Sequence, residues 1–175
     1  HGNVNTCMVE VVVEDKLKPT ITCPPNITLA CTDNYDFKNL DIYGTVVTDP
    51  LKVKNIVIQN YYHNGIVGKD GLASDNCNVT VTQSYRHDIK CHTGYIYRTF
   101  IATDAQGSKD SCVQTITVLN PDPVVAEDII WPDHYYGDGC RSEQTSPDVT
   151  GKPTFTHSAC ANVTSSYDDI EFYIA

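Results

Sequence analysis

A strand written twice constrains this chain more than any other feature. NTCMVEVVVED begins at Asn5 and DSCVQTITVLN at Asp110; Gly2, Thr6, Cys7, Val11 and Val13 fall on Gly107, Ser111, Cys112, Ile116 and Val118 with one shift of 105 positions. Self-similarity at a fixed period is the signature of repeat architectures, in which each period is one structural unit. The matches continue in order. KPTITCPPNITLAC, ending at Cys31, parallels DPVVAEDIIWPDHYYGDGC, ending at Cys140, and DNCNVTVTQSYRHDI from Asp75 parallels SACANVTSSYDDI from Ser158. The order predicts residues 1–16 as the last strand of a preceding module, 17–120 as one complete module and 121–175 as the first part of a following one. The chain then reads as a window cut from a longer array.

Strand signals dominate the complete unit: NITLACT, IYGTVVT, KNIVIQNYY, NVTVTQSY, GYIYRTFIATD and CVQTITVLN are rich in Val, Ile, Thr and Tyr. Between them lie the turn clusters CPPN, YHNG, GKDG, DAQGS and NPDP. No window carries an i, i+3, i+4, i+7 apolar stripe. Short strands, frequent turns and about 100 residues per unit predict an all-β chain of tandem immunoglobulin-like antiparallel β-sandwich modules. Alternation puts Cys112, Ile116 and Val118 on one inward face, with Gln114 as the exception.

Eight cysteines with gaps of 16, 8, 46, 14, 21, 28 and 20 residues show none of the short paired spacings of structural zinc. They predict disulfide staples and an oxidising, extracellular setting. Twelve basic against twenty-two acidic residues leave a net charge of -10, which argues against nucleic acid or an anionic membrane surface as partner. No run of eighteen apolar residues is present, so no membrane insertion is expected.

PTITCPPNITLAC, SDNC, YIYRTFIATDAQGS and SCVQTITVLN resemble the hyalin-type (HYR-like) immunoglobulin-fold repeats of very large cell-surface proteins of Bacteroidota. IIWPDHYYGDGC, with TGKPTFTHSAC and SYDDI, resembles the Trp-Pro variant of the same repeats. Such arrays occur in gliding-motility adhesins exported by the type IX route. The resemblance implies a non-enzymatic structural or adhesive segment of a surface filament, whose partners are neighbouring modules and surface glycans or other surface proteins.

The resemblance also bears on cysteine pairing, which spacing leaves open. It implies Cys31 with Cys77 and, in the next unit, Cys140 with Cys160. It favours Cys23 with Cys112, the first and last strands lying side by side, over the rival of Cys91 with Cys112 and Cys23 free. Cys7 and Cys91 are then unpaired in this window, Cys7 looking upstream.

Three places could carry chemistry. RHDIKCH brings His87, Cys91 and His92 close in sequence, but a nucleophilic thiol needs an orienting base and an oxyanion hole, and no Gly-rich elbow is nearby. The turn residues Asp49, Asp75, Asp104 and Asp110 could join carbonyls around calcium. No D-x-D-x-D-G loop accompanies them, and turn chemistry accounts for them, so no cofactor is expected and calcium stands as the alternative. Tyr61, Tyr62 and His63 are the best candidates for a ligand platform, on an inserted hairpin over residues 50–72 that accounts for most of the difference between the Cys31–Cys77 and Cys140–Cys160 intervals, 46 against 20 residues.

Overall fold

The computed structural model describes residues 2, 7–10, 15–137, 145–156, 160 and 163–168. The chain is built almost wholly of strands. β1 (Thr20–Thr22), β2 (Ile27–Ala30), β3 (Val46–Val47), β4 (Asn55–Gln59), β5 (Asn64–Lys69), β6 (Gly71–Ser74), β7 (Val79–Lys90), β8 (Thr93–Asp104) and β9 (Lys109–Leu119) precede a short pair, β10 (Ile129–Ile130) and β11 (Thr154–Phe155). The largest sheet has the order β2-β9-β8-β7; β1-β6-β3 forms a second sheet and β4-β5 a ribbon. The all-β expectation therefore holds. Two pairings, β2 with β9 and β3 with β6, are parallel rather than antiparallel. Their partners are far apart in sequence, so no tight hairpin dictates their direction.

Alternation makes the interior. Along β8, Ile96, Arg98, Phe100, Ala102 and Asp104 point inward, and along β9 Gln114, Ile116 and Val118 do so. One core cluster joins Ile27, Leu29, Ile96, Ile116 and Val118 to Leu40, Tyr43, Ile56 and Ile58. The second joins Phe100 and Ala102 to Val46 and Ala73, with Cys23 and Cys112 packed against it. The long sheet is thus covered on one face by the β1-β6-β3 sheet and the β4-β5 ribbon. At Gly44 (φ +100°) a Cβ would meet Ile56 Cδ1 at 2.5 Å and Pro24 Cβ at 2.7 Å, so only glycine fits.

β5 and β6 run through GIVGKDGLA, where the glycines had suggested turns. Asp70 explains the break between them: its carboxylate accepts from the Thr45 and Lys54 N–H groups, fixing a bend where the ribbon passes into the second sheet. The proposed last strand of a preceding module lies mostly outside the described residues; Cys7–Glu10 are exposed and carry no strand.

Candidate functional site

Cys23 is bonded to Cys112 with Cα atoms 5.7 Å apart. Cys112 pairs with Phe100, whereas Cys91 lies in the β7–β8 turn beyond Lys90 and near the level of Val118. About six residues of strand, roughly 20 Å, separate Cys91 from Cys112, which rules out the rival bridge.

The Cys31–Cys77 pairing is corrected. Cys31 is bonded to Cys160, Cα atoms 5.9 Å apart, and Cys77 is an exposed free thiol, as are Cys7 and Cys91. The reason is which end of the sheet each loop occupies. Cys31 N–H donates to Leu119 O, at the end of β9, whereas Cys77 precedes Val79, which pairs with Asp104 near the start of β9. An eleven-residue strand, roughly 35 Å long, lies between them. The Cys140–Cys160 pairing falls with it, since Cys160 is taken; Cys140 lies outside the described residues.

The hairpin tip is built differently from a free binding loop. His63 Nε2 accepts from Thr28 N–H at 3.1 Å, and Asn60 Nδ2 donates to Thr28 O at 3.2 Å. Those two side chains occupy the open edge of β2 as a neighbouring strand would. Tyr61 remains 70% exposed, edge-on to Tyr62 at 5.0 Å. Ile56 and Ile58 face the core while Val57 faces solvent, so residues 50–72 complete the interior as well as adding to it.

The histidines near Cys91 do not assemble. His87 packs against Phe37 at 4.7 Å, midway along β7, and His92 Nδ1 lies 3.1 Å from Cys160 O. Among the described residues, the one group of three close His, Cys, Asp or Glu side chains is Asp15, Asp75 and Asp104. Asp49 instead caps a 3₁₀ turn by accepting from Leu51 N–H, and Asp110 accepts from Ser111 N–H. Asp15 was invisible in the sequence because it sits in the linker, where no pattern singles it out.

Sequence reasoning also missed Arg98, which is 1% exposed. Its guanidinium donates to Gly44 O, Gln114 Oε1, Asp41 Oδ1 and Gln83 Oε1 at 2.6–3.0 Å. Gln114 Nε2 in turn donates to Pro25 O and Tyr43 O. Burial pulls the Arg98 pKa down, and the adjacent Asp41 carboxylate opposes that shift. The network joins β7, β8 and β9 to the 40–44 segment, so its chemistry is that of a cross-layer tie. No family model, curated protein or solved structure matches the chain.

Proposed function

We propose that this chain is a non-enzymatic structural and adhesive segment of a cell-surface filament, built from immunoglobulin-like sandwich modules of which residues 17–120 form one. The parallel pairing of β2 with β9 carries this reading. Because both strands run the same way, the chain enters at one end of the sheet and leaves past Leu119 at the other, the arrangement that lets modules follow one another in a line. The two disulfides accord with an oxidising exterior, and among the described residues no helix is long and apolar enough to cross a membrane. Carriage by a gliding-motility adhesin of the type IX route rests on the sequence resemblance.

Pulling tandem copies of the chain tests the reading. The Cys23–Cys112 bridge encloses 89 residues of sequence separation, which cannot lengthen while it is intact. Reduction of both bridges should release roughly 430 Å of extra extension per copy of the chain, because Cys31–Cys160 spans a sequence separation of 129 residues. Equal extension before and after reduction would overturn a load-bearing role. The second reading, glycan or protein binding by the hairpin, is favoured only by the exposed Tyr61; a glycan array on the chain and on its Tyr61→Ala variant tests it, with loss of a specific signal expected if it holds.

A further inference from the structure

The linker, the β6–β7 loop and the end of β8 bring three carboxylates together. Thr20 pairs with Ser74, so the incoming chain runs beside Asp75. Val79 pairs with Asp104, which closes the same end of the sheet. One ligand oxygen from each of Asp15, Asp75 and Asp104 lies within 4.8 Å of the others.

Each carboxylate is held through one oxygen and offers the second. Asp15 Oδ1 accepts from Leu17 N–H at 3.1 Å, and Asp75 Oδ2 accepts from Cys77 N–H at 3.4 Å. Asp104 Oδ1 accepts from Gln106 and Ser108 N–H groups, both at 2.8 Å. Asp104 is only 7% exposed, and its Oδ2, like Asp15 Oδ2, is buried with no hydrogen-bond partner. A buried, unpartnered carboxylate oxygen costs the desolvation of that atom and calls for a partner. Three like charges at this spacing raise that cost further.

We propose that Asp15, Asp75 and Asp104 form a calcium site that fastens the incoming linker to the end of the sheet. Oxygens up to 4.8 Å apart can share one ion whose bonds are 2.3–2.6 Å long. The ligands come from a linker, a loop and a strand end, which suits the flexible coordination of calcium better than the strict octahedron of magnesium. The inference stands apart from the adhesive reading, since a cation can fasten a linker in a protein of any function.

Calorimetric titration of the whole, metal-stripped chain with calcium chloride tests it, alongside trypsin cleavage after Lys16. One equivalent should bind with a dissociation constant on the order of 0.1–1 mM, as in extracellular modules, and slow the cleavage. Asp15→Asn and Asp75→Asn should each weaken binding at least about tenfold and remove the protection, since each deletes a ligand charge. Asp49→Asn and Asp110→Asn should change neither. Asp15 lies in the linker, so its variant keeps the test open should an Asp104→Asn chain fail to fold. Absence of heat and of protection at about 10 mM calcium would overturn the proposal. So would magnesium binding as tight as calcium, or wild-type affinity in Asp15→Asn.

Discussion

Arg98 and Gln114 face each other across the β8–β9 register, and the guanidinium donates to the amide oxygen at 2.8 Å inside a core that excludes water. The pair accounts for the polar residue on the inward face of β9: Gln114 belongs there because Arg98 does. Removing one member strands the other, so Arg98→Ala should destabilise the chain by about 3–5 kcal/mol. Arg98→Met with Gln114→Leu should cost less than the sum of the single changes, because apolar groups then replace both partners. Denaturant unfolding of the four chains of this cycle measures the coupling, and strict additivity would refute it.

Peptide mapping without reduction should recover Cys23 joined to Cys112 and Cys31 joined to Cys160. Alkylation before reduction should label Cys77 and Cys91. The nearby Asp15 carboxylate is the main influence raising the Cys77 thiol's pKa. In metal-free buffer Asp15→Asn should therefore make Cys77 react faster at neutral pH. A peptide linking Cys31 to Cys77 would contradict the register of the long sheet.

Loss of the Cys23–Cys112 bridge should be costly. Cys23→Ser with Cys112→Ser removes a long-loop constraint from the unfolded chain, with an expected loss of about 4–5 kcal/mol on the chain-entropy account. Chemical denaturation measures it, and a loss below about 1 kcal/mol would assign the closure to packing alone.

The β7–β8 hairpin turns on Cys91 (φ 48°) and His92 (φ 65°), both in the left-handed region. Two-residue hairpin loops with both φ values positive prefer Asn-Gly. Cys91→Asn with His92→Gly should stabilise the chain by roughly 1 kcal/mol despite the lost contact of His92 with Cys160 O. A higher thermal midpoint checks this; a fall would show that the His92 contact outweighs the relief of strain.

Burial lifts the Tyr43 hydroxyl above the ordinary tyrosine range, with the charges of Asp33 and Tyr35 adding to the shift. The folded state thus prefers the neutral phenol. Its contribution is complete below about pH 10 and is lost as pH rises through the higher folded value. Stability measured from pH 9 upward should decline, and Tyr43→Phe should flatten that decline. Tyr35, also raised by burial, should leave a residual slope.

β8, most of β9 and β7 as far as Tyr85 were legible because Val, Ile, Thr and Tyr recur along them, whereas Arg86, His87, Asp88 and Lys90 hid the second half of β7. β5 and β6 were not, since Gly65, Gly68 and Gly71 read as turn residues, and only the structure shows Gly68 against the Pro25 ring and Gly71 against the Thr22 carbonyl. The Cys91–His92 turn carries neither Asn nor Gly and so sent no local signal. The cysteine partners failed for a different reason: local pattern shows that Cys31 and Cys77 flank strands, but only the three-dimensional register shows that they flank opposite ends. Asp75 and Asp104 were recognisable as turn acids, whereas Asp15 joins them only through the path of the linker.

The pairing of β2 with β9 also dictates an order of events. β7, β8 and β9 are successive hairpin partners and can form from local contacts, whereas β2 must wait for a strand whose cysteine lies 89 residues downstream. As the chain emerges from N- to C-terminus, β2 is made first and placed last. Until it docks, β9 presents an open edge, which a strand from another copy of the chain could fill. Formation of the Cys23–Cys112 bond ends that competition by fixing β9 beside its own β2, which gives the redox step a proofreading role in the strand order of the sheet.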